Sequence, residues 1–436
     1  PFDNKSELQV ILDLPEGTSL EATAAAAREI ADYLAEQPEV HDVELYAGTA
    51  APINFNGLVR HYDLRRGANV ADLQVNLAHK EERNRQSHDI AKSFRGPVQE
   101  IARRHGANAK VLEVPPGPPV LSTLVAEVYG PSQEERLEIA RQVKEVFETT
   151  DGVVDVDWLV EEPQTKQVFR VDHEKAALAG VPAAQVARTL RLALSGEDAG
   201  QLHLPDEVEP VTIRLEVPRS ERSSVADLGR IYLSSMTGGQ VPLSEPVKVE
   251  ESTLAPSRYR KNLQPVAYVL ADVAGGAESP AYSILTMADR LKELEMPAGG
   301  RLEQLYRAQP GSTEQPVLKW DGEWQITYEV FRDLGGAFGI VLILIYLLII
   351  GWFGSLRIPL VMMIAIPLSL AGILPAHWAF GAFFTATSMI GFIALAGIMV
   401  RNSVLLIDFV NLSLAEGRTL GEALVDAGAV RLRPIL

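Results

Sequence analysis

A chain of 436 residues has room for about two to four domains. Its 40 Lys and Arg against 57 Asp and Glu, a formal charge of −17, exclude broad contact with nucleic acid, whose phosphates call for basic surface. With no cysteine, disulfide scaffolds, thiolate metal sites, iron–sulfur clusters and cysteine nucleophiles are excluded, while the redox compartment stays open.

In chain order, residues 9–14 alternate Val10, Leu12 and Leu14 with other residues, the period of a half-buried strand. Thr18-x-x-Glu21 is a capping-box pattern, opening a helix with Leu20, Ala24, Ala27, Ile30 and Leu34 at helical spacing. Val40-His41-Asp42-Val43-Glu44 reads as the next strand, and a strand (69–77), a helix (86–104) and a strand (107–113) complete a first module, 1–118. Pro115-Pro116-Gly117-Pro118-Pro119 is a stiff boundary. The pattern then repeats: Leu124, Ala126 and Val128 alternate, Ser132-x-x-Glu135 caps a helix with Ile139, Val143 and Val146, and Val153–Asp157 is a strand. A strand (264–272), a helix (280–295) and a strand (301–307) finish this second module, made of 119–165 and 256–330. Residues 166–255 interrupt it as an insertion of short strands, with a projecting loop from Gly200 to Pro210 and a helix start at His173-Glu174-Lys175. The Arg258-Tyr259-Arg260-Lys261 run reads as solvated or inter-subunit surface.

Beyond residue 333 the chain changes character. Residues 1–333 carry 35 basic and 53 acidic side chains, residues 334–436 only five and four. Uncharged stretches predict membrane helices at 334–356 and 358–376, with a break around Pro375–Phe384, and a third at 384–410 that contains Arg401. Arg357, Arg418, Arg431 and Arg433 put the first loop and the C-terminal end in the cytoplasm and residues 1–333 outside. Residues 411–436 read as a cytoplasmic amphipathic helix and the start of a further span, Leu420, Leu424 and Ala427 facing away from Glu422 and Asp426. A start at Pro1 without Met and an apolar run opening at Pro434-Ile435-Leu436 suggest a piece of a longer chain. The expected fold class is an α+β head of two split β-α-β (ferredoxin-like) modules with an inserted module, followed by an all-α transmembrane portion.

This organisation resembles the C-terminal half of permeases of the resistance-nodulation-division (RND) superfamily. The most specific segment is Gly397-Ile398-Met399-Val400-Arg401-Asn402-Ser403-Val404-Leu405-Leu406-Ile407-Asp408-Phe409, similar to that family's third span after the head. Arg431-Leu432-Arg433-Pro434-Ile435-Leu436 is similar to its entry into the next span, and Pro1-Phe2-Asp3-Asn4-Lys5 with Pro15-Glu16-Gly17-Thr18 to the start of its second periplasmic loop. The resemblance implies a secondary active transporter rather than an enzyme: efflux of small molecules by proton antiport, with alternating access in a periplasmic head. It also implies a homotrimer in a bacterial inner membrane, embedded in membrane lipid, with a periplasmic adaptor protein and an outer-membrane channel as partners. The two modules would be porter subdomains and the insertion a docking subdomain. No cofactor is expected beyond the coupling proton. A lipid- or protein-export relative, and a non-transporting sensing or docking protein, are the alternative readings.

Arg401 and Asn402 are the candidate proton-relay residues. An Arg within a span costs about 2.5–3.5 kcal/mol on insertion scales and calls for a partner or water; the other reading is snorkelling. In the family the matching position is usually Lys, whereas Arg keeps its charge more firmly. Asp408 reads as an interfacial carboxylate. For the substrate pocket the resemblance points to the loop after the first module's second strand, hence Tyr46, Thr49, Phe55 and Tyr62, with ordinary packing as the other reading. Scattered histidines and three head methionines (Met236, Met287, Met296) give no metal-ligand spacing. No phosphate-binding loop, His-Glu-x-x-His or Gly-x-Ser-x-Gly motif occurs.

Overall fold

The computed structural model describes residues 4–114, 119–275, 279–296 and 299–435. The Pro115–Pro118 part of the boundary and the first three residues lie outside them. Residues up to Val160 and from Arg258 on form one compact unit, and Glu161–Ser257 form another.

The first unit begins with β1 (Glu7–Asp13), α1 (Leu20–Ala35), β2 (Val40–Thr49), α2 (Phe55–Arg60), β3 (Arg66–Leu77), α3 (Ser87–Arg104) and β4 (Asn108–Leu112). The strands make an antiparallel sheet in the order β2-β3-β1-β4. Val10 and Leu12 of β1 and Leu73 and Val75 of β3 meet Ile30, Leu34, Phe94 and Val98 of the two long helices in one buried cluster. Each such side chain contributes about 1.5–3 kcal/mol. The cap of α1 is one residue later than the Thr18 pattern indicated. Ser19 accepts from the Ala22 amide, because Thr18 is held in the preceding turn, its hydroxyl on the Pro15 carbonyl at 2.6 Å.

The second part of this unit starts with β5 (Leu124–Tyr129), α4 (Gln133–Glu148) and β6 (Val153–Trp158), and Ser132 caps α4 as its pattern requires.

The separate unit, Glu161–Ser257, holds β7 (Thr165–Val171), α5 (His173–Leu178), α6 (Ala183–Ser195), β8 (Glu197–Leu202), β9 (Val211–Leu215), β10 (Tyr232–Ser234), β11 (Gln240–Pro242) and β12 (Val247–Thr253). Val181, Val186, Leu190, Leu228, Leu233 and Leu243 form its core. The strands β8 and β9 pair into a hairpin whose tip, residues 203–210, is exposed throughout.

The first unit resumes with β13 (Tyr259–Lys261), β14 (Gln264–Val273), α7 (Pro280–Lys292), β15 (Glu303–Leu305) and β16 (Val317–Gly322). The strand expected at 301–307 forms as β15, but it does not close the sheet on β5. It is β16 that pairs with β5, and β15 lies outside it in parallel. The reason is volume: Leu318 and Trp320 of β16 are fully buried under the helices, with Trp320 stacked on Phe147 at 5.9 Å, and residues 303–305 offer no comparable pair. Of the Arg258–Lys261 run, the first three residues are exposed, while Lys261 is half-buried and pairs with the buried Glu127 and with Asp321.

Among the described residues three helical stretches are long and apolar enough to cross a membrane. The first, α8 (Glu323–Phe353), leaves β16 directly through Gly322 and starts eleven residues before the predicted span. The second stretch, Arg357–Ala379, is broken at Ile364 into α9 (Arg357–Met363) and α10 (Ala365–Ala379). Pro367 explains the break: it has no amide to bond the Met363 carbonyl, and its ring crowds that oxygen. Pro375, by contrast, is carried inside α10. The third stretch, α11 (Ala386–Ala415), is followed by α12 (Leu420–Ile435). Ala423 and Ala427 pack against Val410, Leu406 and Phe409, so the alanine face of α12 is inward, and Leu420 and Leu424 stay exposed.

Candidate functional site

The segment after β2 is folded inside out. Asn54 accepts from the Gly57 amide at 2.7 Å to start α2, and His61, at φ 61°, ends it after six residues. Asn56, Gly57 and Arg60 face inward and are buried. The apolar residues face outward: Ile53 is 80% exposed, Phe55 45%, Leu58 57% and Leu64 72%. An isolated six-residue helix does not hold itself together, so its polar inner face must be tethered.

The tethers are buried charges on the sheet face away from the helices. Asp72 of β3 accepts from the Ala51 amide at 3.0 Å, from Gln9 at 3.3 Å and from Arg65, so it clamps both ends of the segment. Arg65 also reaches Asp13 and, at 2.9 Å, the Leu12 carbonyl. Tyr62 turns inward onto Ile11 and Leu112, and its ring has the Arg65 guanidinium at 5.6 Å and the Lys110 ammonium at 5.7 Å.

Ion pairs between described residues join the two sheet-and-helix parts at Arg60, Arg95 and Lys110. Arg60 is bidentate on Asp272 of β14, at 2.9 and 3.4 Å, with the two side chains only 4% and 6% exposed. Arg95 of α3 meets Asp155 of β6 at 2.9 Å, helped by Gln99 at 3.2 Å. Lys110 of β4 sits between Asp13, at 2.7 Å, and Asp157 of β6. In each crossing pair the cation comes from the first part and the carboxylate from the second, an arrangement that fixes partner and register together. Asp272 is further held by Ser122 Oγ (3.0 Å), the Thr123 amide (3.1 Å) and Thr123 Oγ1 (2.8 Å). Burial works to raise the Asp272 carboxyl, but Arg60 and the Thr123 donors outweigh it and hold it well below the ordinary carboxylate range. Burial likewise opposes Lys110 and Arg65 at Asp13, and the two cations win, holding it at about 2. At Asp72 and Asp155 burial prevails, and both lie above the ordinary value despite their arginines.

Of the four residues expected at a substrate pocket, the structure leaves only Phe55 among outward-facing apolar side chains. Tyr62 belongs to the buried ionic face, Tyr46 bonds Glu44 at 2.6 Å on β2, and Thr49 is exposed opposite Arg66 at the strand end. Ile53, Leu58 and Leu64, which the sequence reading did not select, stand with Phe55 instead. The ionic residues were also missed. Their signal was Asp13, Asp72, Lys110, Asp157 and Asp272 at alternate positions of otherwise apolar strands.

In the membrane part, Arg401 is the sixteenth residue of the 30-residue α11, about 22 Å along the axis from its first residue. It is exposed on the helix and has no ion-pair partner among the described residues. Asn402 lines a groove of about 270 Å³ with Ser403, Leu406 and Ile407 of α11 and Val361, Met362 and Ala365 at the break between α9 and α10. His377 ties α10 to α11, one ring nitrogen on the Ile373 carbonyl and the other on Ser388 Oγ, each at 2.9 Å. Among the described residues no cluster of His, Asp or Glu is arranged to hold a metal ion.

A family model described as the AcrB/AcrD/AcrF family matches residues 1–436. The nickel and cobalt resistance protein CnrA of Cupriavidus metallidurans is 27% identical over 330 residues, 73% of this chain and 28% of that protein. The swarming motility protein SwrC of Bacillus subtilis is 25% identical over 311 residues, 71% of this chain and 28% of its own. The toluene efflux pump membrane transporter TtgB of Pseudomonas putida is 27% identical over 286 residues, 64% and 24% respectively. The matches therefore span about a quarter of the length of these relatives. The crystal structure of a heavy metal efflux pump superposes on 100% of this chain and 42% of its own, with a TM-score of 0.76 at 20% identity, which is a likeness of fold.

Proposed function

The chain belongs to the AcrB/AcrD/AcrF family of RND proteins, and from that premise we propose that it is part of an inner-membrane permease exporting small molecules by proton antiport. In this reading the two sheet-and-helix parts are ferredoxin-like porter modules of a periplasmic head, and Glu161–Ser257 is a docking module. The working assembly is a homotrimer with a periplasmic adaptor and an outer-membrane channel. Substrate meets the outward apolar side chains of the segment after β2, Ile53, Phe55, Leu58 and Leu64, whose exposure suits apolar or amphiphilic molecules. Arg401 and Asn402 act in the proton relay.

The observation that carries the reading is Arg401, a permanent cation halfway along an apolar helix with no ion-pair partner among the described residues. So costly a group calls for a carboxylate from elsewhere in the bundle, and a carboxylate that gains and loses a proton beside a fixed Arg is a coupling device. The test is Arg401→Ala in the full-length protein, reconstituted in vesicles with a proton gradient and the lipophilic dye Nile red. Export should be lost while the protein remains folded in the membrane; undiminished export would sink the relay. Export of a divalent cation is a second reading, favoured by the likeness to the nickel and cobalt resistance protein. It requires nickel, and not Nile red, to be carried.

A further inference from the structure

We propose that Arg60 is a positioning residue for substrate, aiming the apolar face of α2 through its ion pair with Asp272 of the other module. The inference rests on the reading that Ile53, Phe55 and Leu58 meet the transported molecule. The segment's two ends are clamped to its own module by Asp72, through the Ala51 amide and Arg65. Between those ends it is held by Tyr62 against Ile11 and Leu112 of its own module, and by Arg60 across the inter-module boundary. Arg60 is the last residue of α2, on the inward side with Asn56 and Gly57, so the direction of its guanidinium sets the rotation of the helix. Phe55 and Leu58, on the opposite side, turn with it.

Asp272 is suited to this task because it cannot follow Arg60. Ser122, the Thr123 amide and the Thr123 hydroxyl hold one of its oxygens within the second module. The apolar face is therefore referenced to the second module although it belongs to the first. When the modules are spaced as here, the pair is made and the face has one orientation. When they part, α2 loses the anchor at its C-terminal end, and the face is left to Tyr62 and the two end clamps alone. Substrate affinity is in this way tied to module spacing, with no contact between Arg60 and the substrate.

The test uses the full-length permease in proteoliposomes with Nile red and a set proton gradient. Arg60→Gln should raise KM about tenfold or more and leave maximal export within about threefold. Arg60→Lys, which keeps the charge but loses the fork, should recover part of that KM. Arg60→Gln combined with Asp272→Asn should be no worse than Arg60→Gln alone. Hydrogen exchange should quicken in residues 54–64 and not in β1 or β3 of the same variant. If Arg60→Gln lowers export only in proportion to folded protein, with KM unchanged, the pair is merely structural and the proposal falls. Phe55→Ser with Leu58→Ser separates the two levels. If that variant also leaves KM unchanged, the segment does not meet substrate and the underlying reading fails. If it raises KM while Arg60→Gln does not, positioning alone is refuted.

Discussion

Replacing Lys110 with Met should destabilise the head near neutral pH and let it recover part of that loss in mild acid. Lys110 is almost fully buried between Asp13 of its own module and Asp157 of the other. Met keeps the length of the side chain and removes the charge. Asp13 retains Arg65, but Asp157 is left beside a second carboxylate with no other cation paired to it among the described residues. Removing one partner of a buried pair costs about 3–5 kcal/mol near neutral pH. The sign of the pH dependence follows from the two carboxyls. In the wild type Asp13 is depressed to about 2 from 3.8, so its contribution is complete above 3.8 and is lost as pH falls through 2. That contribution is about 2 kcal/mol at most, since Asp13 is nearly a third open to water. In Lys110→Met the burial of Asp13 is opposed by Arg65 alone, beside a second carboxylate, so Asp13 binds a proton more readily than in the wild type. The variant therefore regains stability as pH falls from 7 towards 4, while the Asp13 contribution of the wild type stays level. Burial also raises Glu127 to about 7, but that group is common to both proteins and cancels in the difference. Amide protection in β4 and β6, measured by hydrogen exchange in detergent between pH 4 and 8, reads this directly. A deficit that stays constant over that range would refute the reasoning.

Trp320→Ala should destabilise the head by about 3–5 kcal/mol in thermal or denaturant unfolding, and Leu305→Ala by less than half as much, because β16 and not β15 closes the sheet on β5. Gly322→Ala should cost more than about 1 kcal/mol, since φ is +72° there and a Cβ would stand 2.6 Å from the Ser122 carbonyl. Its protection loss should begin at the junction of β16 and α8, and unchanged protection there would contradict the geometry.

The element types were legible from local pattern. Period-two alternation in Val10, Leu12 and Leu14, helical spacing in Ile139, Val143 and Val146, and uncharged runs after Asp333 each carry their meaning in neighbouring residues. Family membership was legible for a related reason, because the Gly397–Phe409 segment places unusual residues in one uninterrupted string. The exceptions lie where distant residues compete. Val317–Gly322 displaces 301–307 beside β5 because Trp320 fills space against Phe147, which lies more than 170 residues earlier. Ser19 replaces Thr18 as a cap because the turn at Pro15 has taken the Thr18 hydroxyl.

The candidate site belonged almost wholly to the tertiary structure. Nothing local to Arg60 announces that it is buried, since an Arg ending a short helix ordinarily faces water. Only Asp272, 212 positions away, makes that burial tolerable. Ile53, Phe55, Leu58 and Leu64 are residue types that ordinarily face a core. They face outward because the sheet beneath them is lined with Asp13, Asp72 and Lys110, and a charged floor is covered by charged and hydrogen-bonding partners rather than by aliphatic side chains. Composition and periodicity thus determined which helices and strands form and where the chain enters the membrane. Which faces are charged, and so which apolar side chains are left for another molecule to meet, was decided by long-range pairing that no single stretch of sequence contains.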